Sequence, residues 1–371
     1  MRSMRDRVIS RRTLAARLVG APVALGLLTR DTRANQREVP PAAGSLTDVG
    51  GIRVGHFTDT RRPTGCTAIL FDAPVVAGAD YDGSAPGESL GVVLQPVSPL
   101  DRIHAILLTG GGPMALPATA GVVRYLEERG MGYDWGIPGL RIPIVVGAVI
   151  DDLAMGDGHI RPGAEEAYRA CVAATGGPIP EGSVGVGSGA TVGKMFVGRG
   201  MPGMKGGVGT ASARFGDVVV AAMAVANSAG DILDWRTGRI VAGARSKDGR
   251  TFARSVDVLR QDLQSKATAQ VPLADQPFRA TTLSVVATNV ALSKTQLTKL
   301  AMMANTGAAR AINPYHTNGD GDQVLTVSTG ALVRDISLTS LGAIASEVVS
   351  DAILRAVTTA SALPGWTAAE R

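Results

Sequence analysis

The sequence predicts an α+β domain, and three observations lead there. Short β-prone apolar runs bounded by turn residues recur at 67–71, 103–108, 142–150, 218–225, 283–288 and 324–329. Helical periodicity with its own start and stop signals lies between them, without the strict βαβ alternation of a doubly wound sheet. A chain of 371 residues with 45% hydrophobic content and no internal repeat has ample material for one sizeable core.

The first 34 residues stand apart from that domain. They hold eight Arg and two Asp, a Ser10-Arg11-Arg12-Thr13-Leu14 motif, and an apolar run over 18–28 that is too short to span a bilayer. This pattern predicts a twin-arginine export signal, with cleavage after Ala34 and a periplasmic or secreted product; a simple basic tail is the alternative. The segment carries a net +6 of the chain's +5, so the remainder is near −1. No basic footprint for nucleic acid is left, and no run is long enough for a membrane span. Cys66 and Cys171 lie in apolar surroundings and read as two buried thiols, with pairing in an oxidising compartment as the alternative.

Within the body, residues 116–129 form a helical pattern closed by Gly130. Residues 162–174 form another, with Pro162 in the first turn. Residues 245–280 are polar and turn-rich. At Thr281 the composition switches to a β-prone run, so a hydroxyl residue sits where a loose segment meets a buried strand. On composition alone this is a loop entering a strand with Thr as an ordinary β-former. It is also the arrangement a self-cleaving chain needs, in which Thr attacks its own preceding carbonyl and then uses its freed α-amine as a base. Beyond that strand, Ser293 and Gln296 have capping-box spacing, and Leu297, Leu300, Ala301 and Ala304 recur at helical intervals, with Gly307 as the expected stop. The turn at 313–322 then delivers Asp320 and Asp322 just before the next strand. As a calcium loop it is poor, because Gln323 stands where Gly is required and Thr329 where the terminal Glu belongs. After Ser337, Leu338, Leu341, Ala345, Val348 and Ala352 share one helical face that should pack on the sheet.

The Gly-rich run at 185–194 invites a phosphate-loop reading, which fails: Gly189 and Ser188 do not meet the required spacing from Lys194, and Met195 replaces the magnesium-binding hydroxyl. A dinucleotide fingerprint fails too, for want of the third glycine spacing. Asn227, at the end of the 218–225 strand, is suited to donate to an oxyanion or to satisfy a turn backbone.

Six signatures in order give these residues a common meaning. They are Gly51-Ile52-Arg53-Val54-Gly55-His56, Thr64-Gly65-Cys66-Thr67, Leu108-Thr109-Gly110-Gly111, the run from Gly185 to Lys194, Ala226-Asn227, and the run from Thr281 to Thr288. With them the chain resembles the self-processing N-terminal-nucleophile amidohydrolases that include the L-aminopeptidase/D-esterases, β-aminopeptidases and nylon-oligomer endo-hydrolases. The resemblance implies a four-layer αββα sandwich and self-cleavage between Ala280 and Thr281. A large chain of residues 35–280 and a small chain of 281–371 would share one folded domain. It implies Thr281 as nucleophile, Asn227 at the oxyanion, and Lys194, Asp320 and Asp322 as supports, with one acid of the pair taking up a proton through like-charge repulsion. It implies a small peptide or amide substrate, no metal or cofactor, and a homo-oligomer of the cleaved units, with a tetramer among the options. Activity should rise with pH as the Thr281 amine loses its proton.

Four departures from the family pattern accompany these expectations. Ala280 precedes the cut where Gly or Asn is frequent, and Ile150 replaces a Tyr that would supply a phenolic oxyanion donor. Gly112-Pro113-Met114 and Gly87-Glu88-Ser89 also differ, and both are expected to line the substrate pocket. An acyltransferase on the same scaffold and an unprocessed binding protein are the competing readings.

Overall fold

Strand β2 (Gly65–Asp80) connects the two halves of the molecule. In the computed structural model, which describes residues 43–265 and 280–370, it belongs to a nine-stranded sheet. The other strands are β1 (Ile52–Thr58), β3 (Glu88–Ser89), β4 (Arg102–Thr109), β5 (Val145–Val149), β6 (Gly207–Phe215), β7 (Val218–Ala226), β8 (Leu283–Val290) and β9 (Gln323–Leu332). The order is β6-β7-β8-β9-β2-β4-β5-β3, with β1 also paired to β2. The first half of β2 pairs with β1 and β4; its second half, from Val76, pairs with β9, and the register slips between Leu70 and Val75. Such an irregularity bends a strand, so the sheet passes from one layer to a second facing it.

Side-chain alternation then fills three apolar layers. Between the two halves lie Ile69, Phe71, Ile106, Leu108, Met223, Val225, Val285 and Leu325. Behind β2 and β4, the opposite side chains Ala68, Leu70, Ala105 and Leu107 pack on α1 (Thr119–Glu127) and α2 (Ala164–Val172). Two further helices follow, α3 (Ser255–Gln264) and α4 (Lys294–Ala311). Behind β7 and β8, Val220, Ala222, Ala224 and Val286 pack on α4 and α5 (Leu338–Thr358). Helix, sheet, sheet, helix is the expected four-layer sandwich.

Most elements sit where the sequence places them. The Ser293 hydroxyl caps α4 through Gln296 N–H as the spacing predicts, and the predicted apolar face of α5 packs on β6 and β7, with Leu341, Ala345, Val348 and Ala352 buried and Leu338 half-buried. Three points differ. Gly307 does not stop α4, which runs on to Ala311; a Cβ there would lie 2.0 Å from Ser346 O, so this glycine lets α4 and α5 approach closely. The run at 142–150 is broken at Pro143 and contributes only 145–149 to the main sheet. The polar segment from 245 contains α3. Cys66 and Cys171 are buried and unpaired, and burial raises both thiols, Cys171 to about 12. No helix among the described residues is long and apolar enough to cross a membrane. The twin-arginine segment lies outside the described residues.

Candidate active site

The start of β8 and the turn before β9 run side by side because β8 and β9 pair in parallel, with Leu283 opposite Gln323. That register brings Ala280 level with Asp320, Thr281 with Gly321 and Thr282 with Asp322. Thr281 is buried, and its Oγ1 donates to the Ala280 carbonyl oxygen at 2.6 Å. The same oxygen accepts Gly321 N–H at 3.0 Å, and Thr281 N–H donates to the backbone oxygen of Asn227 at 3.0 Å. The hydroxyl thus lies against the carbonyl it would attack, and a backbone donor already polarises that carbonyl. Gly321 fits because it lacks a side chain: a Cβ there would lie 2.5 Å from Ala85 O and 2.9 Å from Thr281 Oγ1. Thr282, the competing nucleophile, is fully buried, and its carbonyl oxygen is tied into the ladder by Gln323 N–H.

The two acids have different partners. Asp322 Oδ1 accepts Thr282 N–H at 2.5 Å and Oδ2 accepts His316 N–H at 3.2 Å. Asp320 Oδ2 accepts the Thr317 N–H and hydroxyl at 3.0 and 2.6 Å. Burial, and after it the charge of Asp322, pushes the Asp320 carboxyl up to about 7 against the pull of Thr317 and Lys194. Proton uptake by one acid is therefore as expected, with desolvation rather than repulsion as its first cause.

Lys194 and Asn227 meet on the other side of Thr281. Asn227 Oδ1 accepts Lys194 Nζ at 2.6 Å and Thr191 N–H at 3.0 Å, while its Nδ2 points to Asp151 O at 3.3 Å. The Gly-rich turn that carries Thr191 and Lys194 rests on a lysine not singled out from sequence. Lys205 is fully buried, and its ammonium donates to Gly187 O, Ala190 O and Gly206 O at 2.8 to 2.9 Å. Burial, with help from Lys194, lowers it to about 7 against the pull of Asp152. Three carbonyl acceptors match its three donors, which is how an ammonium is tolerated there.

A cleft of about 120 Å³ opens beside Ala280, lined by Asp151, Thr191, Lys194, Met195, Ala229 and Trp366 among others. Segments 87–89 and 112–114, expected in the pocket, do not line it. Ile150 is buried in the layer between the sheets and offers no phenol to the site. The five predicted residues, Thr281, Lys194, Asn227, Asp320 and Asp322, do come together. Gly321 and Lys205 escaped prediction because the first acts through its backbone and the second through carbonyls distant in the chain.

The acid pair has a measurable consequence for the uncut chain. The folded protein holds the Asp320 proton to about pH 7, whereas the unfolded chain releases it near its ordinary value of 3.8. Between these the native state binds more protons, so its stability falls as pH rises. In an uncut Thr281→Ala chain, Tm should fall from about pH 4 to about pH 7 and level off above that as far as this group is concerned. Adding Asp320→Asn, which keeps an oxygen for Thr317, should remove part of that fall. Equal slopes by scanning calorimetry would show that Asp320 does not hold the proton.

A threonine at a strand start with its hydroxyl against the carbonyl of the preceding residue, in a four-layer αββα sandwich, is the arrangement of a self-processing N-terminal-nucleophile hydrolase of amide bonds. Residues 44–370 match peptidase family S58, and the chain belongs to that family. An uncharacterized aminopeptidase of Mycobacterium tuberculosis is 35% identical over 345 residues, covering 86% of this chain and 95% of its own. The 6-aminohexanoate-oligomer endohydrolase of Kocuria is 34% identical over 320 residues, covering 83% and 84%. Among solved structures, a β-aminopeptidase of Burkholderia superposes with TM-score 0.62 at 23% identity, covering 86% of this chain and 88% of that one. The L-aminopeptidase D-Ala-esterase/amidase of Ochrobactrum anthropi does so with TM-score 0.61 at 21% identity, covering 88% and 91%.

Proposed function

We propose that the chain cuts itself between Ala280 and Thr281 and that the new amino-terminal threonine hydrolyses small peptides, aminoacyl amides or amino-acid oligoamides. The observation that carries this reading is the Thr281 hydroxyl lying 2.6 Å from a carbonyl oxygen that Gly321 N–H also engages. In processing, Oγ1 adds to the Ala280 carbonyl carbon and the C–N bond breaks. The acyl group then sits on the hydroxyl oxygen, and water hydrolyses that ester to leave an Ala280 carboxylate and a Thr281 amine. In turnover the amine takes the Oγ1 proton as Oγ1 adds to the substrate carbonyl. It returns the proton to the departing amine, and water then releases the acid. Asn227 Nδ2 is the donor to the substrate oxyanion, Lys194 holds the Asn227 amide by its oxygen, and Asp322 fixes the Thr282 backbone.

The relatives' descriptions support an amide substrate of this range: aminopeptidase in Mycobacterium, endohydrolase of 6-aminohexanoate oligomers in Kocuria. Export through the twin-arginine segment and assembly of the cleaved units into a homo-oligomer complete the reading. The test is a product assay of purified cleaved protein on an aminoacyl anilide and on a 6-aminohexanoate oligomer, with and without an added amine. Free acid as the main product supports the hydrolase; product that forms only with the amine means an acyltransferase.

A further inference from the structure

Three signatures of the sequence, Thr64-Gly65, Gly110-Gly111 and the glycines before Lys194, take no part in the bond-making steps. They converge on one buried ion pair. Asp152 Oδ1 accepts Arg62 Nη2 and Gly111 N–H, both at 2.9 Å, and Oδ2 accepts the Thr64 hydroxyl at 2.7 Å. A Cβ on Gly110 would overlap Asp152 Oδ2, and one on Gly189 would lie 2.5 Å from Asp152 Cβ, so glycine lets both segments close on the carboxylate. The side chains of Arg62 and Asp152 are 2% and 0% exposed. Burial raises the Asp152 carboxyl, and Arg62, Thr64 and Gly111 pull it back down.

The guanidinium reaches beyond that carboxylate. Its Nη1 donates to Asp152 O at 2.7 Å and to Met155 O at 3.3 Å, and its Nε donates to Ile160 O. One planar fork thus gathers the loop from 152 to 160. On the other side of Asp151, Ile150 N–H donates to Thr109 O at 2.9 Å, and Ile150 O accepts Gly112 N–H at 3.0 Å. The Asp151 carbonyl is therefore held from both directions, and its oxygen accepts Asn227 Nδ2 at 3.3 Å. The amide oxygen of Asn227 takes Thr191 N–H and Lys194 Nζ, which fixes the plane and the flip of that amide. Of the two Nδ2 protons, one goes to Asp151 O and the other is left for the substrate oxygen.

We propose that Arg62 and Asp152 are positioning residues for the hydrolase: the pair sets the Asp151 carbonyl, which aims the second Asn227 N–H at the substrate oxyanion. A donor that is already aimed costs no reorganisation when charge develops on the oxygen. The inference rests on Asn227 being the oxyanion donor. It concerns turnover and not processing, because the carbonyl cut in processing is engaged by Gly321 N–H.

Arg62→Lys keeps a charge beside Asp152 but loses the fork that reaches three carbonyls. The variant should still be cut at Thr281, which also shows that it folds. Its kcat should fall about tenfold or more with KM changed far less, because a misaimed donor is felt in the transition state. The same substitution in an Asn227→Ala chain should cost less than about twofold, since the group it positions is gone. Full activity of Arg62→Lys, a change in KM alone, or the same loss in both backgrounds would show that the pair only holds the fold, and the proposal fails. Should Arg62→Lys not fold, Thr64→Val takes its place in the cycle. It deletes the hydroxyl on Oδ2 and leaves the ion pair, with a loss of about threefold that again vanishes without the Asn227 side chain. Equal factors in both backgrounds, or no loss in either, overturn the proposal. Asn227→Ala alone keeps the two readings apart. Wild-type turnover there overturns the oxyanion donor and the pair's role with it; lowered turnover there, beside equal losses in both backgrounds, overturns only the pair's role.

Discussion

A Thr281→Ala chain is expected to remain one polypeptide on a denaturing gel and to lose amide hydrolysis by at least about 10⁴-fold, as deletion of a covalent nucleophile does elsewhere. The same hydroxyl serves both reactions in this account, so one substitution removes both. Nothing in the packing opposes it: Thr281 is buried, and among the described residues its Oγ1 bonds only to the neighbouring carbonyl oxygen in the uncut chain. Thr281→Ser keeps the hydroxyl and should still cut and turn over. A cut and active Thr281→Ala chain would transfer the nucleophile to another residue.

Asn227→Ala should have the next largest effect, a fall in kcat of about 10² to 10³-fold with a smaller change in KM, which is what losing one oxyanion donor costs. It should nevertheless still be cut. The donor on the Ala280 carbonyl is Gly321 N–H, and the contact from Thr281 N–H goes to the Asn227 backbone oxygen, which the substitution leaves in place. Processing slowed but complete, together with poor turnover, is the expected pair of results. Loss of the side chain also leaves Thr191 N–H and Lys194 Nζ without the acceptor they share, so some loss of stability should accompany it. Wild-type turnover in this variant, measured at saturating substrate, would show that the amide is not at the oxyanion.

Much of this site could be read from the chain because its chemistry is concentrated in short segments. Thr281 stands at an abrupt change of composition, and the two aspartates share one turn. Parallel pairing of β8 with β9 is what brings these segments together, and sequence order alone does not give that register. The hydrogen bond from Asn305 to Asp80 was hidden for the same reason: the two lie 225 residues apart, and neither is unusual in its own segment. Lys205 was equally hidden, since a lysine in a Gly-rich stretch reads as solvated until three carbonyls are seen around it. Gly307 misled because a glycine near a helix end is the ordinary stop signal, whereas here the close approach of α5 explains it. The αββα layering came from family resemblance; strand spacing alone left the layer count open. The acid pair also bears on the pH expectation. Two full carboxylates would raise the amine of Thr281, but Asp320 keeps its proton to about 7, so its pull is missing below that pH and returns only as pH rises toward the range, about 7.7–8.0, where a free α-amine titrates.

The most direct test of the central claim is amino-terminal sequencing, with intact mass, of both chains from purified active protein. The account predicts a small chain whose first residue is Thr281 and a large chain ending at Ala280. A small chain beginning at Thr282 or elsewhere, or an uncut chain that is fully active, would contradict it.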